Sequence, residues 1–167
     1  IIMKFSQNQM RTDKHFQDLM LHRVHDILLV ASPYDAFILE EDGRLTEQIL
    51  HEYLGMNLSY APRVWQANTA SYAMDLLSRR SVDIIIVMMR ISDMDLITFG
   101  KHIKEQYSKK PIILLAFDES EIKQLPDNHT DFMDNIFVWT GNASVFPAII
   151  KYIEDTKNVK RDTRKGD

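Results

Sequence analysis

The sequence contains no cysteine. That excludes a disulfide framework and any thiolate metal site, and it fits a reducing compartment, so a cytoplasmic location is expected. Positive charge is not in excess either: 20 Lys and Arg stand against 24 Asp and Glu, a formal net charge of -4. Such a balance lacks the global basic field that draws nucleic acid. Long apolar runs are missing as well. Even a run such as Ile84 to Met89 is the size of a strand and far below the ~20 residues that span a bilayer. The opening Ile1-Ile2-Met3-Lys4 has no signal-peptide core. Neither nucleic acid nor membrane is an expected partner.

Chemistry-bearing motifs are equally scarce. None of the 5 glycines belongs to a GxGxxG or a P-loop, so a phosphate-cradling loop is excluded. His15, His22, His25, His51, His102 and His129 show no HExxH or comparable ligand spacing, and Ser32 and Ser92 sit in no nucleophile elbow. No metal and no other cofactor is expected. There is no internal repeat and no low-complexity stretch.

What remains is an ordinary globular composition, 45% hydrophobic and 26% charged over 167 residues, enough for one domain with a real core. A start on Ile1 and a polar, basic end through Lys157, Lys160, Arg161, Arg164 and Lys165 are expected of a piece of a longer polypeptide. Residues 157–167 read as a polar linker or tail. Residues 1–25 read as an N-terminal extension, with Phe16, Leu19, Met20 and Val24 at helical spacing after a cap at Thr12 or Asp13. That helix either packs on the domain or serves as a dimerising or linker helix.

From Asp26 the period changes. Ile27 to Val30 is a continuous apolar run, as expected of a strand buried on both faces of a parallel sheet. Leu45, Ile49, Leu50, Tyr53 and Leu54 then recur at helical spacing before Gly55. Arg63 to Ala67 reads as a second strand, and Asn68 or Thr69 caps a helix through Leu77. Ile84 to Met88, rich in β-branched residues, reads as a central strand. A helix over Leu96–Tyr107, a strand from Ile112, a short helix over Glu119–Gln124, a strand over Asn135–Trp139 and a last helix with Val145, Ile149, Ile150 and Ile153 inward complete residues 26–156. Strand–helix alternation repeated five times predicts a three-layer α/β sandwich with a parallel sheet.

In such sheets ligands bind outside the carboxyl ends of the strands. The residues there are Ala31 and Ser32, Met88, Ala116, and Trp139. The segment Val82-Asp83-Ile84-Ile85-Ile86-Val87-Met88-Met89-Arg90-Ile91-Ser92-Asp93-Met94-Asp95 resembles the central strand and loop of response-regulator receiver (CheY-like) domains. Pro111–Ala116 and Asp26–Ser32 are similar to that family's fourth and first strands. The resemblance implies the flavodoxin-like strand order 2-1-3-4-5, preceded here by an extra helix. It also implies a phosphoacceptor aspartate at Met88, an Mg²⁺-holding acidic pair at Ala31 and Ser32, a switch hydroxyl at Ala116 and a phosphate-pairing lysine at Trp139. Each of these positions has lost its chemistry. A thioether forms no acyl phosphate, and alanine offers Mg²⁺ no oxygen.

A narrower likeness runs through Ser32-Pro33-Tyr34-Asp35-Ala36-Phe37-Ile38-Leu39-Glu40-Glu41-Asp42-Gly43-Arg44-Leu45, with Phe137-Val138-Trp139 and Asn158-Val159. It is similar to the leading receiver-like segment of bacterial multidomain proteins that carry a phosphoenolpyruvate synthase or pyruvate-phosphate dikinase-like region further along.

The leading expectation is therefore a degenerate receiver that is not itself an enzyme and acts in two-component-type signalling. Its partners would be other domains of its own polypeptide, a signalling protein, or a second copy in a homodimer. Two alternatives stay open. One is a small-ligand sensor or enzyme using a remodelled pocket around Ala31, Ser32, Met88 and Trp139; the other is an atypical phosphoaccepting receiver using Asp35, Asp93 or Asp95. The cluster Asp35, Glu40, Glu41 and Asp42 is expected in a solvated loop, as are Asp93 and Asp95. Trp139 is read either as a plug in the volume beside Met88 and Ala116 or as an exposed anchor for a partner.

Overall fold

The computed structural model describes residues 23–41, 62–141 and 144–165. It contains five strands, β1 (Asp26–Val30), β2 (Arg63–Ala67), β3 (Ile84–Met88), β4 (Ile112–Ala116) and β5 (Asn135–Val138). The described helices are α1 (Pro33–Glu41), α2 (Ala70–Arg79), α3 (Leu96–Gln106), α4 (Glu119–Lys123) and α5 (Val145–Lys165). The strands form one sheet of order β2-β1-β3-β4-β5, with every pair parallel. The expected three-layer sandwich and strand order are both present.

The sheet owes its centre to sequence that is apolar at every position. In β3 and β4 all five residues are buried, whereas the edge strand β5 is half-buried throughout. Successive side chains then point to opposite faces. Ile27, Leu29, Ile84, Ile86, Ile113 and Leu115 meet Leu39 of α1 and Phe146, Ile149 and Ile153 of α5. Leu28, Val30, Ile85, Val87, Ile112 and Leu114 meet Leu76 and Leu77 of α2 and Phe99 and Ile103 of α3. Thus α1 and α5 cover one face, α2 and α3 the other.

The described chain divides into the unit Val24–Ile153 and a remainder that includes Arg23 and the continuation of α5 from Glu154. Composition alone gave a polar tail from residue 157, yet the backbone stays helical to Lys165. The helices expected over Thr12–His25 and Leu45–Leu54 lie outside the described residues, except Arg23–His25, which are non-helical and lead into β1.

Between α4 and β5 lies a 3₁₀ helix, Asp127–Asp131. It was not legible beyond the stop at Pro126. It delivers Phe132 onto α3 at Gly100, where an added Cβ would lie 2.5 Å from Phe132 Cδ2. Only a glycine permits that approach.

Candidate functional site

Because β1 runs on into α1 on one face and β3 into α3 on the other, the chain leaves the sheet in opposite directions at these neighbours. That is the geometry that opens a crevice at the carboxyl edge. Ala31 directly follows β1 and donates its N–H to Ala67 O at 3.0 Å. Met88 ends β3, Ala116 ends β4, and Trp139 follows β5, its N–H bonded to Ala116 O at 2.7 Å. All five sequence-derived positions therefore reach the same edge.

Ala31, Met88 and Ala116 are buried, and Met88 is only 1% exposed. Ala31 and Met88 belong to the apolar cluster beneath α1 and α5, and Trp139 packs against it while half-buried. The Trp139 ring meets Phe146 edge-to-face at 6.3 Å, a favoured aromatic geometry. The floor of the crevice is thus hydrocarbon and thioether.

Its polar chemistry comes from residues the sequence had assigned elsewhere. Asp35, expected in a solvated loop, is 1% exposed and lies in the first turn of α1. The reason is local. Ser32 caps the helix, accepting the Asp35 N–H at Oγ (3.1 Å) and the Ala36 N–H at its carbonyl (2.9 Å). Pro33 supplies a φ suited to the first helical position. The Ser-Pro-x-Asp spacing, an acid at the third helical position after a serine cap, is a helix-start pattern that could have revealed this. The helix buries Asp35 rather than leaving it in solvent.

Three groups act on the Asp35 carboxylate. Burial pushes its pKa above the ordinary 3.8; the Arg90 guanidinium and the Ser32 hydroxyl draw it down, and the Glu121 carboxylate adds to the rise. Arg90 follows β3, and Glu121 belongs to α4 after β4. Their ion pair, Nη2 to Oε2, spans 3.9 Å, with the Arg90 side chain 62% exposed and that of Glu121 14% exposed. Glu121 Oε1 also accepts the Phe117 N–H at 2.5 Å. Asp35 Oδ1 is buried with no hydrogen-bond partner.

Among the described residues, Glu40, Asp93 and Asp95 have structural partners. Glu40 is exposed and accepts Gln66 Nε2 at 2.6 Å; the side chain of Glu41, and Asp42, lie outside the described residues. Asp93 is exposed, as expected of a loop acid, but it accepts the Ala70 N–H (2.7 Å), the Ser71 N–H (3.0 Å) and Ser71 Oγ (2.8 Å). It thereby ties the β3–α3 loop to the start of α2, and the Ala70 N–H foremost holds its carboxyl below 3.8. Asp95 caps α3 through Thr98 N–H at 3.2 Å. Neither acid is free to serve the crevice.

Mg²⁺, which the receiver resemblance implies, does not fit these residues. Ala31 and Met88 offer no hard oxygen, Arg90 brings positive charge beside the two carboxylates, and among the described residues no group of three acidic or histidine side chains is placed to hold a metal.

Solved receiver domains share this architecture. The signal receiver domain of an HD domain-containing protein from Pseudomonas fluorescens Pf-5 is 20% identical, covering 86% of this chain and 96% of its own, with a TM-score of 0.57. A CheY-like receiver domain from Methylobacillus flagellatus is 14% identical over 78% of this chain and 99% of its own, TM-score 0.58. The response regulator TrrA from Thermotoga maritima, in complex with Mg²⁺-BeF, is 16% identical over 77% and 98%, TM-score 0.54. The chain has the receiver fold. No family model matches its sequence, and no curated protein does, so the likeness is one of backbone. Within the described part of this receiver fold no helix is long and apolar enough to cross a membrane.

Proposed function

We propose that this chain is a pseudo-receiver: a receiver-fold module that regulates through contact with other domains of its own polypeptide or with a signalling protein, and neither accepts phosphate nor catalyses a reaction. The observation that carries this reading is Met88. It ends β3, at the position that the receiver resemblance gives to the phosphoacceptor, and it is buried in the apolar cluster with Ala31. A thioether there has no oxygen to form an acyl phosphate, and the surrounding hydrocarbon would penalise a phosphoryl dianion. With the phosphate switch gone, any conformational bias comes from differential binding of a partner, a ligand or a linked domain.

For its setting, the Ser32–Leu45 stretch supports a leading segment ahead of a phosphoenolpyruvate synthase or pyruvate-phosphate dikinase-like region; the coding sequence beyond Asp167 tests that part. The test of the central claim is the intact mass of the chain after incubation with acetyl phosphate and Mg²⁺. An unchanged mass is expected. A stoichiometric, hydroxylamine-sensitive phosphoryl adduct overturns the reading.

A further inference from the structure

Helix α1 is apolar on both sides. Leu39 is buried and Ala36 packs against the same cluster on the inner side, while on the outer side Tyr34 is 64% exposed and Phe37 61% exposed. They stand three positions apart, so their rings are neighbours on one face. A surface helix ordinarily turns a polar face outward. Among the described residues, Tyr72 of α2, at 48%, is the other large apolar side chain left open. Glu40, three positions beyond Phe37, is exposed as well, and α1 contains no lysine or arginine. This outer face therefore presents two aromatic rings and an acid. It suits a partner that brings apolar area together with a hydrogen-bond donor.

We propose that this face of α1 docks on the same face of a second copy, with the two helices antiparallel about a two-fold axis at Phe37. The spacing is self-complementary. Tyr34 and Glu40 each lie three positions from Phe37. The axis therefore sets the two Phe37 rings against each other and Tyr34 of each copy opposite Glu40 of the other. The Tyr34 hydroxyl then donates to the Glu40 carboxylate, which already accepts Gln66 Nε2 at 2.6 Å and has further lone pairs to offer. The two Glu40 residues stay apart, by about 9 Å of helix rise and about 8–10 Å between packed helices. The resulting separation of about 13 Å exceeds the Debye length of about 8 Å at physiological salt, so their repulsion is screened. Such a contact closes at two copies. An aromatic side chain buries about 150–250 Å²; four rings, each about three-fifths open, supply about 400–600 Å², short of the ~1,200 Å² of a stable complex. The dimer is accordingly weak, with a dissociation constant of about 100 μM to 1 mM. It forms where a linked domain raises the local concentration of copies.

This contact goes beyond the phosphate-free reading and does not depend on it: a phosphoryl adduct sinks that reading and leaves the contact standing. The experiment is sedimentation equilibrium of the full chain from about 10 μM to 1 mM, a range that brackets the expected affinity. A reversible monomer–dimer equilibrium is expected, with the amides of α1 shifting on dilution in ¹⁵N spectra. Phe37→Glu, at an exposed position, should leave a monomer with an unchanged circular dichroism spectrum. Tyr34→Phe keeps the ring and removes the hydroxyl, and should weaken association about fivefold through two lost hydrogen bonds. Tyr72→Ser, on α2, is the surface control and should change nothing. A chain that stays monomeric over the whole range, growth beyond the dimer, a dimer that survives Phe37→Glu or is lost equally in Tyr72→Ser, or undiminished association of Tyr34→Phe each overturns the proposal.

Discussion

Placing an aspartate at position 88 should destabilise this protein severely. Met88 is 1% exposed in the cluster that joins Ala31, Leu115 and Phe146. Met88→Asp forfeits the burial of one large apolar side chain, about 2 kcal/mol. It also leaves an unpaired carboxylate in hydrocarbon, at a further penalty of several kcal/mol. No lysine stands at position 139 to compensate. The total, about 5 kcal/mol or more near neutral pH, approaches the whole stability of a typical domain. Met88→Leu, which conserves volume, should cost less than about 1.5 kcal/mol and controls for repacking. The two variants should also differ in pH dependence. The new carboxyl has a folded-state pKa raised by burial, so the folded form is stabilised by protonation. The deficit of Met88→Asp is then largest at neutral pH and shrinks as the pH falls toward the unfolded value of about 3.9. Urea denaturation followed by far-UV circular dichroism, at neutral and acid pH, measures both quantities. If Met88→Asp stays within about 1 kcal/mol of Met88→Leu at neutral pH, the position is solvated, and the argument for a plugged phosphoacceptor site fails.

Two further substitutions probe the frame around the crevice. Gly100→Ala would ordinarily gain about 1 kcal/mol in a helix interior, yet its Cβ would meet Phe132 Cδ2 at 2.5 Å. A net loss of about 1–2 kcal/mol is expected, relieved in a Phe132→Leu background; a gain in melting temperature from the single variant would contradict the tight Phe132 contact. Asp93→Ala removes the carboxylate that binds the first N–H groups of α2 and should cost about 1 kcal/mol, the usual worth of a capping side chain. Since the Asp93 carboxyl is held below 3.8, that contribution is present above 3.8 and is lost as the pH falls through its folded-state value. Denaturation midpoints of wild type and variant should converge in strong acid; a difference that persists there rules out the carboxylate as its source.

The strands were legible because their signal is local and strong. Ile84–Met88 and Ile112–Leu115 are apolar at every position, and such runs form strands buried on both faces. Their ends placed Ala31, Met88, Ala116 and Trp139 at one edge, as the strand assignments alone had implied. The 3₁₀ helix at Asp127–Asp131 escaped because it has no apolar period; its backbone is organised by Phe132 packing on Gly100, a contact across 32 positions of chain.

Asp35 marks the boundary most clearly. The sequence by itself determined that a serine cap, a proline and an acid stand in the right order to start a helix at Pro33. It determined equally that no acid occupies the ends of β3 and β4. Only the tertiary structure decided that this acid is buried beside Arg90 and Glu121, because desolvation and Coulomb forces depend on atoms delivered from β3 and α4, 55 and 86 positions away. Hydrophobic periodicity records which face a residue turns to the core. It does not record which charges other segments will bring to meet it.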